Sequence, residues 1–569
     1  MTFRKYFFVY FFIRYTCLIT CDVILKEPTV LIAILVRNKA HTLPYFLSFL
    51  EQQDYPKNRI CLWIRSDNNI DNSIKILNKW IDSEGEKYHY LNIYLNTTTT
   101  GFEDERTYAD WSPHRFAHVI NLREEALNYA REIWADFILM LDADVFLTNS
   151  STLRNLVLKE QTIVSPLLRS DGMYSNFWAG MTAEHYYLRT DLYEPILYRE
   201  KIGCHNVPMV HSAVLIDLRR YDSDRLSYKS EKLIAYDGPV DDIITFAVGA
   251  NKSGVPLHVC NDEAYGFVMV PLENKETIAE DMQRLTNTKA EILAFSDYLP
   301  LSDNLMEFVT YPQKDTLGLD HIYMINLLRR PERRNRMKRL FKEIGILAEI
   351  IDAVDGRTLN ENTLKEWGVA PLPEYLDPYH KRPMTMGEIG CFLSHYVVWQ
   401  KVLERGYERV MVLEDDVRFE PFFRQKVNYI LAELFDLGTQ WDLVYIGRKR
   451  LVKSEKPIED SKVLVHAGYS YWTLGYILSE SGAKKLVDAK PLGKLIPVDE
   501  YLPILANTHP EQQWVAQFPT RDLIMLSADP LLIYPTHYTG EDGHISDTED
   551  SKLVQNTSAF TELENREEL

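Results

Sequence analysis

Twice in this chain an apolar run stops abruptly on clustered carboxylates, and that pattern restricts the fold more than any other feature. Residues 409–416 read Arg-Val-Met-Val-Leu-Glu-Asp-Asp. Val410, Val412 and Leu413 suit a strand buried on both faces, as in a parallel sheet. Glu414 and Asp416 lie two apart and so share a face of an extended chain, with Asp415 between them. Residues 137–146, Phe-Ile-Leu-Met-Leu-Asp-Ala-Asp-Val-Phe, repeat the pattern with Asp142 and Asp144. Open α/β sheets bind ligands at the carboxyl ends of their strands. Carboxylates gathered there repel one another unless a cation sits between them. A hard divalent ion, Mg²⁺ or Mn²⁺, carrying a diphosphate suits such oxygen donors. A solvated acidic turn would explain either stretch alone; the repetition favours the cation site.

The first half alternates strands and helices, which predicts a parallel sheet. Strands are expected at Pro28–Val36, Arg59–Arg65 and Tyr88–Leu95, and helices at Leu43–Gln53, Ile70–Ser83 and Arg115–Ile133. Arg37 and Asn38 follow the first strand and Asp67 the second, where a nucleotide would lie; Asp67 also suits a turn. Asp241 and Asp242 open a further helix, as a base or as favourable charge at its N-terminus. His258 is either a third metal ligand or structural. A chain of 569 residues is too long for one core. Weak periodicity from about Ala294 to Leu319 places a boundary there, giving domains at 22–310 and 311–545.

Arg4 and Lys5 precede an apolar run broken by Arg14, which reads as a cleaved signal peptide over 1–21, with an uncleaved anchor as the alternative. The C-terminal stretch 546–569 reads as an acidic tail, and Arg566-Glu-Glu-Leu569 is similar to an endoplasmic reticulum retention signal. Both ends give one address, the reticulum lumen, for a soluble protein. Asn96, Asn149, Asn251 and Asn556 head glycosylation sequons. Cys61, Cys204, Cys260 and Cys391 follow the leader but set no disulfide framework. A net charge of −19 argues against nucleic acid as a partner.

In the second half, Ile325-Asn326-Leu327 leads into Leu328-Arg329-Arg330-Pro331-Glu332-Arg333, an anion site at a helix N-terminus. Then come Gly387-Glu-Ile-Gly-Cys391 with Ser394-His395, the Val412-Leu-Glu-Asp-Asp416 strand end, and Pro497-Val-Asp-Glu-Tyr-Leu-Pro503. In this order the motifs resemble glycosyltransferase family 25, whose members include bacterial lipooligosaccharide galactosyltransferases and animal procollagen galactosyltransferases. The preceding half resembles the nucleotide half of GT-A glycosyltransferases of family 2. That half, the leader and the Arg-x-Glu-Leu ending match the animal, two-domain type.

The resemblance implies two tandem GT-A-like (Rossmann-like) α/β domains. It implies transfer of galactose from UDP-galactose to 5-hydroxylysine of collagen, with Mn²⁺ and with inversion to a β-linkage. A homodimer is a family-level expectation. In this reading Glu414 and Asp416, with Asp415 alongside and His537 as a further ligand, hold the cation. Asn326, Arg330 and Arg333 hold the nucleotide, and Asp499 or Glu500 is the base, Asp499 alternatively capping a helix. Tyr471, Trp472 and Tyr476 line an acceptor groove or pack in the core. The first domain, with Arg37, Asn38, Asp67, Asp142 and Asp144, is expected to bind a sugar nucleotide and brace the second. Alternatives are a transferase for another lumenal acceptor, or a non-catalytic adhesion or binding protein that keeps the fold.

Overall fold

A computed structural model of the chain describes residues 26–554, apart from 235, 297, 540, 542, 543 and 550. The expected leader, the sequon at Asn556 and the terminal tetrapeptide lie outside the described residues.

The first half forms a sheet from β1 (Val30–Val36), β2 (Ile60–Ser66), β3 (Tyr90–Leu95), β4 (Phe137–Asp142), β5 (Ile163–Pro166), β6 (Cys204–Val207), β7 (Ala213–Asp217) and β8 (Leu257–Cys260). Their order is β6-β8-β5-β7-β4-β1-β2-β3. β1 runs parallel to β2 and β4, and β7 runs antiparallel to β4. The second half repeats the plan with β9 (His321–Asn326), β10 (Glu349–Asp352), β11 (Arg409–Leu413), β12 (Val417–Phe419), β13 (Leu443–Arg450), β14 (Leu464–His466), β15 (Ser470–Ser479), β16 (Met525–Ala528) and β17 (Ile533–Pro535). Its large sheet has the order β10-β9-β11-β15-β13-β16-β14, and β12 pairs with β17 beside it. Again the first strand lies parallel between its successor and the acidic strand, whose other neighbour is antiparallel. Asp142 and Glu414 therefore stand at corresponding places, at the carboxyl end of the strand beside the first.

Alternate residues feed the two faces, as strand geometry requires. Val30, Ile32 and Ile34 enter one core while Leu31 and Ala33 enter the other. Val410 and Val412 oppose Met411 and Leu413 in the same way. Helices cover both faces: α1 (Leu43–Glu51), α2 (Ser73–Glu84), α3 (Pro113–Glu132) and α4 (Asp242–Lys252) in the first half. In the second half are α6 (Pro331–Ile344), α7 (Met386–Arg405), α8 (Phe423–Asp436), α9 (Glu480–Asp488) and α10 (Val498–Leu505). Between the halves lies α5 (Ile278–Phe295), opened by a capping box of Thr277 and Glu280. It sends Leu285 and Ile292 into the first core and Ala290 and Leu293 into the second.

Cys204 and Cys260, opposite one another on β6 and β8, form a disulfide, while Cys61 and Cys391 are free. Asn251 is exposed; Asn96 and Asn149 are half-buried, and their side-chain oxygens accept from the backbone N–H groups of Thr98 and Ser151. Among the described residues no helix is long and apolar enough to cross a membrane.

Candidate active site

The second half contains a cavity of about 530 Å³ lined by Asn326, Arg333, Glu414, Asp415, Asp416, Asp499, Glu500 and His537. All four sequence motifs meet there, two from the ends of β9 and β11 and two from the starts of α7 and α10. The glycines of the α7 motif permit the approach of two neighbouring segments. A Cβ on Gly390 would lie 2.4 Å from the carbonyl oxygen of Val354, and one on Gly387 2.6 Å from that of Thr548. A capping box of Thr385 and Glu388 starts this helix.

The acidic triplet divides its work. Asp415 accepts 2.6 Å from Asn326 Nδ2 and 3.3 Å from Arg333 Nη1. It braces the β9 loop and is thereby less free for an ion than the sequence reading assumed. Burial and Asp416, against the pull of Arg333, push its carboxyl up to about 6. Burial, Asp416 and Asp499 push Glu414 well above the usual carboxylate range. One buried oxygen of Asp416, Oδ1, has no hydrogen-bond partner among the described residues. An unpaired buried oxygen beside raised carboxyls fits a hard cation such as Mn²⁺ or Mg²⁺. Glu414 and Asp416 are the residues that would hold it. His537 lines the same cavity, its ring edge-on to Phe295 of α5 with centroids 5.9 Å apart.

Asp499 and Glu500 differ sharply. Asp499 accepts 2.9 Å from the backbone N–H of Trp472 and also from the Thr473 hydroxyl. Burial outweighs these bonds and pushes Asp499 up to about 6. Glu500 accepts from the hydroxyls of Tyr469 and Tyr471, each at 2.9 Å, and pairs with His509 Nε2 at 2.7 Å. With both oxygens so engaged, Glu500 is a structural hub rather than the base first considered. Trp472 lines the cavity with φ of 64°, a left-handed conformation uncommon for a bulky residue. Tyr471 lines it too, but Tyr476 is fully buried against Trp399 and belongs to the core, not to an acceptor groove.

Arg330 is held by Asp547, itself part of the cavity lining, with Nε–Oδ2 at 2.8 Å and Nη2–Oδ1 at 2.6 Å, and Arg329 reaches the same carboxylate at 2.6 Å. Arg329, not Arg330, lines the cavity. The described residues 551 and 552 also bond to the start of α7. Met386 N–H donates to the carbonyl of Lys552, and Gly387 N–H to the Ser551 hydroxyl. Sequence reasoning missed Asp547, because an acidic stretch without periodicity reads as solvated.

The first half places its candidates differently. Arg123 Nη2 lies 2.9 Å from Asp142 and its Nε 2.6 Å from Asp242. Lys39 Nζ lies 2.9 Å from Asp144 and 3.2 Å from Asp281. Burial opposes the charge of Lys39, but Asp144 and Asp281 outweigh it and hold the ammonium above its ordinary range. Asp142 and Asp242 do the same for Arg123. The cation expected between Asp142 and Asp144 is thus supplied by the chain itself, and a divalent ion would have to displace two paired side chains. Arg37 is bound at both its amino groups by Glu105, at 2.7 and 2.6 Å, and Asp67 faces His118 at 2.6 Å. Asn38 pins two loops, its side chain accepting from Ile70 N–H at 2.7 Å. Asp241 caps α4 through the N–H groups of Ile243 and Ile244. His258 sits within β8 between Val164 and Asn206, apart from these carboxylates.

The two halves are thus α/β domains in tandem, each with its first strand between two parallel neighbours. The model for glycosyltransferase family 25, N-terminal domain, matches residues 27–289, and that for glycosyltransferase family 25 (LPS biosynthesis protein) matches 319–502. The chain belongs to glycosyltransferase family 25. A glycosyltransferase 25 family member of Aedes aegypti is 52% identical over 538 residues, covering 94% of this chain and 88% of its own length. Procollagen galactosyltransferase 2 of Homo sapiens is 46% identical over 540 residues, with coverage of 95% and 86%. Procollagen galactosyltransferase 1 of Danio rerio is 43% identical over 540 residues, with coverage of 95% and 89%.

Proposed function

We propose that this chain transfers galactose from UDP-galactose to the hydroxyl of 5-hydroxylysine in collagen, in the lumen of the endoplasmic reticulum. The observation that carries the reading is the convergence of Glu414, Asp416 and Asp499 on one cavity. The names of the relatives, procollagen galactosyltransferases in fish and mammals, support the acceptor and the sugar.

Glu414 and Asp416 would hold Mn²⁺, which supplies positive charge against the departing diphosphate. Asp499 takes the proton of the acceptor hydroxyl, as a general base. The hydroxyl oxygen bonds to the anomeric carbon while the bond from that carbon to the diphosphate oxygen breaks. UDP leaves with the electron pair, and an α-linked donor yields a β-linked product. Asn326 Oδ1, buried and without a partner among the described residues, is placed to accept from the nucleotide. Arg333, which also faces the triplet, offers its guanidinium to the phosphates. The acceptor hydroxylysine enters beside Tyr471 and Trp472.

The deciding experiment gives the full-length chain UDP-galactose and Mn²⁺ with collagen peptides carrying either hydroxylysine or lysine. Galactosylation of the hydroxylysine peptide alone is expected. Hydrolysis of UDP-galactose without transfer to either peptide points to another acceptor, and no turnover at all to a binding protein. Removing residues 566–569 should release the protein into the medium with its specific activity intact; continued retention in the cell would remove the tetrapeptide as the address. A homodimer would show as twice the chain mass in light scattering.

A further inference from the structure

Beneath the acidic triplet lies a buried chain of hydrogen bonds. Nε1 of Trp399 is 2.9 Å from Oη of Tyr476, and that oxygen is 3.0 Å from Nδ1 of His395. Nε2 of His395 lies 3.4 Å from Oε1 of Glu414. Trp399, Tyr476 and His395 are all 1% exposed or less. The thiol of Cys391 completes a group with His395 and Glu414 whose donor atoms lie within 4.8 Å of one another. By composition alone such a set suits a soft cation.

Donor counting settles the direction. An indole nitrogen can only donate, so Tyr476 accepts from Trp399. The hydroxyl proton of Tyr476 then needs an acceptor. Among the described residues the remaining partner of that oxygen is Nδ1 of His395. Nδ1 must therefore be bare. A doubly protonated imidazole would leave the tyrosine proton unpaired in the core, which costs stability. Neutral imidazole carries one proton, so it sits on Nε2 and points at Glu414.

We infer that Trp399 and Tyr476 set the tautomer of His395, and that His395 is a positioning residue which donates from Nε2 to Glu414 and presents that carboxylate to the cation. With Nε2 protonated, the Cys391–His395–Glu414 group takes no metal of its own. The inference rests on the reading of Glu414 as a cation ligand. Partners of this kind, standing behind a ligand, orient it and raise its affinity for the ion.

The test uses the full-length protein labelled with ¹⁵N-histidine, the His395 signal being identified by its loss in His395→Gln. Without metal, the spectrum should show Nε2 protonated and Nδ1 bare; Nδ1 protonated would overturn the relay. Tyr476→Phe keeps the ring and removes the hydroxyl, so it should turn this single form into a mixture of tautomers; an unchanged spectrum would count against it. Calorimetry of Mn²⁺ with UDP then compares variants. His395→Gln, whose amide can still donate to Glu414, should keep the Mn²⁺ affinity within about threefold, while His395→Ala should weaken it about 10–100-fold. Equal losses in both, or none in His395→Ala, would refute the positioning role. If the wild type itself takes no Mn²⁺, the ligand reading of Glu414 fails, while the spectrum still decides the tautomer.

Discussion

Asp499 and Glu500 stand side by side in the first turn of α10, yet their surroundings set them apart. Glu500 is held by two tyrosines and a histidine. Both line the cavity, but Asp499 has fewer bonds and is pushed up to about 6 by burial. A base works only when deprotonated. Transfer should therefore fall as pH drops through about 6. Asp499→Asn should lower kcat by about 10²–10⁴-fold and leave Mn²⁺–UDP binding intact. Wild-type activity that stays flat well below pH 6 would remove Asp499 as the base. Asp416→Ala takes away the carboxylate whose Oδ1 has no protein partner, so folding loses little. It should cut transfer more than about 100-fold, beyond what losing an outer partner of a ligand costs. Near-normal turnover at saturating Mn²⁺ would sink the ligand assignment.

At the scale of elements, α5 ends where the sequence places the domain boundary, and its residues enter both cores. Lys289 on α5 and Glu343 on α6 form a buried ion pair at 2.7 Å, and Lys289 also lies over the ring of Tyr45 on α1, 5.0 Å from its centroid. Three helices from the two halves meet at this one ammonium. A buried pair is harmful to break and often harmless to replace as a whole. Lys289→Met should thus destabilise by about 3–5 kcal/mol, and adding Glu343→Leu should recover most of it. Urea unfolding followed in both variants checks this. An undisturbed midpoint in Lys289→Met would show that the pair holds nothing together.

For the whole molecule, the two halves share a sheet plan but differ in charge. Around the triplet of the second half, carboxylates outnumber their protein cations, and one oxygen stays unpaired. In the first half, Arg123 and Lys39 lie between the acids. Titration of UDP in Mn²⁺ should accordingly find one site per chain. Asp142→Asn with Asp144→Asn should leave that count unchanged and lower stability, because both buried cations lose a partner. Two sites in the wild type falling to one in the double variant would show that the first half binds nucleotide after all.

The sequence by itself determined β1 to β3, α1 to α3 and the place of the acidic strand ends. Periodicity, proline and capping residues act within a few positions of one another, so their outcome is readable along the chain. Strand β11 was legible from its apolar run. What only the tertiary structure decided was how each charge is paired. Arg123 lies 19 residues from Asp142, and Asp547 lies 217 from Arg330. Asp142 and Glu414 end their strands in the same way and look alike in sequence. One meets a guanidinium from α3, the other an imidazole from α7. Whether a carboxylate binds an ion depends on which groups arrive from distant segments, since electrostatic pairing follows separation in space and not position along the chain.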